Sequence, residues 1–294
     1  LAGKGFVATL HKARQMPSNE LCLANLTIPQ AGPLELVDAA AAGGFDSVNM
    51  WLTPPPALAH LGEIRRDASS PVGNAPATRA IRERLDDRGV RLFSGSAGWI
   101  GAGFEIAEIA PVLETLAALG GRAVNVVGWD DERERLVQNL VAVCEAAAPF
   151  GLRVQFEFMP YSAVKTIDDA RALLCDAAPP NAVILVDALH LARSGGAPAD
   201  VRRLDPARIG SFQLCDAPFT APGASELRHE SVTGRLYPGE GALPLAELLA
   251  ALPEDVVIEA EMPVARDAQL APAERARRCA QATRAFLRAS VGTA

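Results

Sequence analysis

VILVDALHLARSGG, residues 183–196, is the stretch whose reading decides the fold. Four apolar residues run into a carboxylate, as in a parallel strand covered on both faces, so a strand is expected to end at Asp187. In α/β folds ligands bind at the carboxyl ends of the strands, so Asp187, with His190 three residues on, would stand at an active face. Three other segments finish in the same manner: RVQFEFMP (153–160) around Glu157, RIGSFQLCDAP (208–218) around Gln213 and Asp216, and DVVIEAEMP (255–263) around Glu259 and Glu261. One polar strand end means little. Four in the C-terminal half of one chain point to a common centre.

Working outward, the rest of the chain alternates short Val/Ile/Leu runs with longer Ala/Leu/Arg/Glu runs, the pattern of an α/β protein. Strands are expected over 21–28, 46–52, 90–94, 122–129, 153–158, 183–187, 208–214 and 256–261. Helices follow each of them, over 33–42, 76–88, 104–119, 132–149, 167–177, 199–204, 245–252 and 272–290. Gly43-Gly44, Gly89 and Gly120-Gly121 stop helices, and Pro54, Pro55 and Pro56 force a loop expected to run to about Ala75 across the mouth. Eight strand and helix pairs without an internal linker predict a single-domain (β/α)8 barrel over residues 19–294, with residues 1–18 as a poorly ordered N-terminal extension. A doubly wound open sheet is the alternative, but the Gly-rich dinucleotide loop that usually opens one is missing.

The 294 residues suit one such barrel, and 49% hydrophobic content supplies its core. A net charge of −7 and the lack of a basic run argue against a nucleic-acid partner. No apolar run approaches the length of a membrane helix. Cys22, Cys144, Cys175, Cys215 and Cys279 are odd in number and scattered, which disfavours disulfides and a thiolate zinc site and suggests a cytoplasmic protein.

If Glu157, Asp187, Gln213 and a strand-eight glutamate meet in the mouth, three carboxylates at close range repel unless a cation shares their charge. One divalent metal ion resolves the conflict. Oxygen donors, the Gln213 amide among them, favour Mn²⁺ or Mg²⁺, with Zn²⁺ and Co²⁺ left open. Glu259 and Glu261 point to the same face, two residues apart. Glu261 lies nearer the carboxyl end, so it is assigned to the metal and Glu259 to the layer below. Taken singly, each residue has a plain alternative: Asp187 would serve as a helix N-cap, and Lys165 or Arg235 as a solvated charge. The recurrence at four strand ends carries the case.

FEF at 156–158, Asp-x-x-His at 187–190, QLCDAP at 213–218, RLYPGEG at 235–241 and EMP at 261–263 resemble, in this order, the sugar phosphate isomerase/epimerase family of xylose-isomerase-like barrels, over about residues 20–290. The resemblance implies a metal site that falls on Glu157, Asp187, Gln213 and Glu261. It also implies substrate contacts from His190 and from an arginine in the strand-seven loop. Many members carry histidine where this chain has Gln213, and glutamine there also occurs in dehydratase-like relatives.

The chemistry so implied is proton transfer next to a carbonyl through an enediolate, with Glu157, Glu261 and His190 as the catalytic groups. Asn49, Trp51, Lys165, Asp216, His229 and Arg235, with Trp129, are candidates to contact the substrate, a small keto-sugar or polyol. An isomerase or epimerase is the leading reading. A dehydratase of a cyclic keto-polyol such as a keto-inositol or dehydroshikimate is the rival, and a sugar- or metal-binding barrel without turnover the non-enzyme alternative. DNA-repair endonucleases of the same fold use a histidine-rich zinc cluster, which four histidines and an acidic chain do not suit. Barrels of this kind are commonly homo-oligomers, though no residue here marks an interface.

Overall fold

In the computed structural model, which describes residues 19–53 and 70–291, eight parallel strands close in sequence order into a barrel. They are β1 (Leu21–Ala24), β2 (Ser47–Trp51), β3 (Arg91–Gly101), β4 (Ala123–Trp129), β5 (Arg153–Glu157), β6 (Ala182–Asp187), β7 (Ile209–Leu214) and β8 (Val257–Ala260). Helices cover them: α1 (Pro33–Gly43), α2 (Ala75–Arg88), α3 (Ile106–Ala118), α4 (Arg133–Ala147), α5 (Ile167–Ala177), α6 (Ala188–Arg193), α7 (Pro198–Val201), α8 (Leu227–Thr233), α9 (Leu245–Leu249) and α10 (Pro272–Val291). The final helix packs on α1 and completes the outer ring. The expectations for residues 1–18, and for most of the loop after β2, lie outside the described residues.

Local chemistry sets the boundaries. Every residue of β6 is buried, as its unbroken apolar run requires. A capping box starts α5: Thr166 Oγ1 accepts from the Asp169 N–H and Asp169 Oδ2 from the Thr166 N–H, each at 3.1 Å. Gly44 ends α1 with φ of 69°, a left-handed conformation that suits a residue without Cβ.

Three expectations need correction. β3 does not stop at Ser94 but pairs with β4 as far as Gly101 opposite Trp129, with a register shift between Ser96 and Gly98. Its SGSAGWIG sequence looks like a loop because its glycines lack side chains to show a pattern. In the fold they admit close neighbours: a Cβ on Gly95 would meet Leu116, and one on Gly98 would meet Val126. The segment after β7 is also more than a loop, since it contains α8, docked on α6 by the Arg193–Glu230 ion pair at 2.7 Å. Likewise α6 begins directly at the end of β6, ahead of residues 199–204, where the helix following that strand was expected.

The barrel interior carries a polar layer. Asn49 Nδ2 donates to Glu259 Oε2 at 2.6 Å, Ser211 Oγ donates to Glu259 Oε1, and Gln155 Nε2 donates to Asn125 Oδ1 at 2.8 Å. Burial raises the pKa of Glu259, while hydrogen bonds from Ser211, Asn49 and Gln155 oppose the rise. This layer lies beneath the carboxyl-end mouth.

Candidate active site at the carboxyl mouth of the barrel

Asp187 is the last residue of β6 and also the N-cap of α6: its Oδ1 accepts from the His190 N–H at 2.8 Å. The cap therefore fixes both the carboxylate and the place where the imidazole leaves the helix. His190 Nε2 stands 3.6 Å from Glu157 Oε1, at the end of β5. Glu157, Asp187 and His190 each bring a ligand atom within 4.8 Å of the other two, a candidate metal site. His190, expected to work on the substrate, thus belongs to the tightest cluster.

The guanidinium of Arg235 lies among the acids, 1% exposed. Its Nη1 is 2.5 Å from Asp187 Oδ2, its Nη2 3.0 Å from Glu261 Oε2, and its Nε donates to the Ser231 carbonyl at 2.7 Å. Gln213 Nε2 donates to Glu261 Oε1 at 3.1 Å, while Gln213 Oε1 is buried without a hydrogen-bond partner. Glu261 lines the cavity; Glu259 is satisfied in the layer below.

These environments separate the acids. Burial, then repulsion from Glu261 and Asp187, holds the Glu157 carboxyl well above the usual carboxylate range. Glu261 is pushed up to about 8 by burial, against the pull of Arg235. For Asp187 burial also acts upward, but Arg235 and His190 outweigh it and its pKa is lowered. Burial takes His190 down to about 4, so its ring is neutral near pH 7.

The donors fit a divalent ion. Asp187 and Glu261 share one guanidinium and Glu157 stands beside His190, which leaves acid in excess, and the orphaned Gln213 Oε1 is a neutral oxygen donor of the kind that completes a hard-ion site. A buried carbonyl oxygen without a partner is costly, and a cation would satisfy it.

Of the other expected contacts, Trp51 and Arg235 line the cavity, and Asn49, Lys165, Asp216 and His229 do not. Asn49 is taken by Glu259. The Asp216 carboxylate accepts from the backbone N–H groups of Ala217, Gly239, Gly241 and Leu243 at 2.9–3.0 Å, which orders the RLYPGEG loop. Lys165 is exposed, and His229 Nε2 lies 3.2 Å from Thr233 Oγ1. Sequence reasoning missed Trp99, Tyr161, Ser231 and Arg228, all of which line the cavity. Trp99 was hidden by the misread end of β3, and Ser231 and Arg228 by the unrecognised α8.

A closed eight-stranded parallel barrel with a buried acid, imidazole and guanidinium cluster at its carboxyl mouth defines a barrel-enzyme type of site. The chain belongs to the xylose isomerase-like TIM barrel family, whose model matches residues 37–288. No curated protein matches the sequence. Among solved structures, the zinc-binding IolI protein superposes with a TM-score of 0.75 at 19% identity, covering 92% of this chain and 99% of its own. The probable 3-DHS dehydratase AsbF from Bacillus anthracis gives 0.65 at 17% identity, with 87% and 97% covered. A D-allulose 3-epimerase from Methylomonas sp., in complex with D-allulose, gives 0.66 at 16%, with 91% and 97% covered. At these identities the likeness speaks to the fold.

Proposed function

We propose that this chain is a metal-dependent isomerase or epimerase of a small keto-sugar or polyol that moves a proton at the carbon next to the carbonyl. One observation carries this reading: Glu157 and Glu261, from β5 and the end of β8, line one cavity together with His190 and Arg235. Two carboxyl groups that reach one pocket from different strands suit removal of a proton and its return.

Glu157, Asp187, Gln213 and Glu261 would hold the ion. A bound divalent ion supplies polarisation of the ketone and of its neighbouring hydroxyl, which acidifies the C–H between them. Glu157 removes that proton, and Glu261 returns one to the same carbon from the other face for epimerisation. Return to the neighbouring carbon gives isomerisation. His190, neutral and 3.6 Å from Glu157, relays a proton between oxygens. Arg235, anchored by the Ser231 carbonyl, presents positive charge to the developing oxyanion. The apolar part of the cavity wall limits water around the exchanging proton.

Dehydration is the second reading, favoured by Gln213 standing where many relatives carry histidine. The same base would act, with loss of a β-hydroxyl in place of reprotonation. Proton NMR in D₂O, with Mn²⁺-loaded protein and candidate ketoses, separates the two. Deuterium entering next to the carbonyl without loss of water is expected. A conjugated enone appearing instead assigns the dehydratase, and neither change with any ketose overturns the enzyme reading. Glu157→Gln should lower exchange at least about a hundredfold, as loss of a positioned base does.

A further inference from the structure

Two polar side chains at the floor of the cavity belong to neither the acid cluster nor the guanidinium that balances it. Ser96 on β3 and Asn125 on β4 line the cavity and are Cα partners on adjacent strands. Asn125 is 4% exposed, and its Nδ2 has no hydrogen-bond partner among the described residues. A buried N–H group without an acceptor is costly. At the wall of a cavity, such a group marks a place where a ligand atom completes the bonding.

The polar layer beneath decides which way these groups face. Glu259 accepts at Oε2 from Asn49 Nδ2 at 2.6 Å and at Oε1 from Ser211, and the Gln155 amide also bonds to it. An ionised carboxylate has acceptors only, so both amides turn their nitrogens toward it. Gln155 Nε2 then donates to Asn125 Oδ1 at 2.8 Å. Asn125 thus has its acceptor turned to β5 and its donor left over. On the other side, Asn49 Oδ1 accepts from Ser96 Oγ at 3.2 Å. That bond uses the Ser96 proton and leaves the oxygen lone pairs as acceptors. One carboxylate therefore polarises two short chains, of which one ends in a donor at Asn125 and the other in an acceptor at Ser96.

A hydroxyl answers both ends, since it accepts through its oxygen and donates its proton. A carbonyl or ether oxygen uses Asn125 alone. The two residues sit on neighbouring strands, ~4.8 Å apart, a spacing that one oxygen atom bridges. Val127, two residues on and facing the same way, supplies apolar surroundings in which such a bond is stronger. In a closed ring of eight, β3 lies across from β7 and β4 across from β8. A ketone held near Gln213 and Glu261 therefore brings to Ser96 and Asn125 a hydroxyl remote from its carbonyl.

We propose that Ser96 and Asn125 form a specificity-determining subsite that takes one hydroxyl of the substrate, two or more carbons from the carbonyl. Gln155, which does not reach the cavity, is the positioning residue that fixes the Asn125 amide. The ketone rests on the proposed function; the hydroxyl subsite rests on the polarised layer. A substrate lacking that hydroxyl leaves the Asn125 donor buried and unpaired, and binds more weakly for that reason.

Calorimetry with D-fructose, 4-deoxy-D-fructose and 5-deoxy-D-fructose tests this on the Mn²⁺-loaded protein. D-Fructose should bind the parent at least about tenfold more tightly than one of the two deoxy ketoses. In Asn125→Leu that ratio should fall to about one, through weaker binding of D-fructose. Ser96→Ala, which leaves the Gln155–Asn125 bond in place, should lower the ratio in the same direction, and so should Gln155→Met, which removes no group from the cavity. Comparing the same ligands in parent and variant cancels differences among their solution forms. A purely structural role for the layer would lower the melting temperature of the variants and leave the ratio where it was. Equal binding of the three ketoses by the parent, a ratio unchanged in both Asn125→Leu and Ser96→Ala, or no binding of D-fructose would each overturn the proposal. Discrimination without deuterium exchange would leave the subsite standing and remove the isomerase reading. Exchange with equal binding of all three would do the reverse.

Discussion

Arg235 shows how one buried side chain balances several others. Asp187 and Glu261 depend on its guanidinium, and burial of the whole group makes an unpaired charge there expensive. Arg235→Met should destabilise the protein by about 3–5 kcal/mol in the presence of a chelator, the usual cost of removing one partner of a buried ion pair. Mn²⁺ should recover part of that loss in thermal melts, because a cation among the same acids replaces the missing charge. A variant as stable as the parent in chelator would show that these carboxyls are protonated rather than paired. Asp187 illustrates how a plain structural role and a functional one coincide. It caps α6, and the same cap holds His190 in the cluster.

At the level of elements, the segment from β7 to α9 does more than connect. Asp216 gathers four backbone N–H groups of its own loop, and Leu236 pairs antiparallel with Asp216, so Arg235 enters the barrel from a fixed backbone. Gly241 fits closely into this arrangement, where a Cβ would collide with the Ala217 carbonyl and the Asp216 carboxylate. Gly241→Ala should therefore lower the melting temperature and reduce turnover together, because the shifted loop carries Arg235. A variant with parental melting and kinetics would show that the loop accommodates the methyl group. Helix α8 belongs to the same unit, since Ser231 holds both Arg235 Nε and the Tyr161 hydroxyl.

Across the whole molecule the two ends of the barrel divide their tasks. The carboxyl mouth concentrates buried charge, and the amino end is clamped by Glu20, whose carboxylate pairs with Arg122 at 2.6 Å and Arg91 at 3.1 Å. Burial pushes the Glu20 pKa up, but the hydrogen bond from Arg122 and the charges of both arginines act against it, and the pKa is lowered. A carboxylate whose folded pKa is depressed adds stability that is fully present above its unfolded value, about 4.3 for glutamate, and is lost as pH falls through the folded value. Glu20→Gln should thus be less stable than the parent at pH 7, with the gap closing below about pH 4. Urea unfolding at the two pH values measures it, and a gap that does not close would assign the effect to packing.

The eight strand and helix pairs, and the strand ends that carry Glu157, Asp187, Gln213 and Glu261, were legible in the sequence alone. Burial on both faces writes itself as continuous Val, Ile and Leu, and a carboxylate that ends such a run interrupts it visibly. The glycines of β3 and the short turns of α6 and α8 were not legible. Their conformations are stabilised by neighbours distant in the chain, as in the closeness of Gly95 to Leu116 and the pairing of Glu230 with Arg193. For the same reason Asn49, Lys165, Asp216 and His229, expected as contacts, lie off the cavity, while Trp99 and Tyr161, which the sequence did not single out, line it. Residue type announces what a side chain can do, but direction and company are set when the barrel closes, and that closure brought the tryptophans of three successive strands to one mouth.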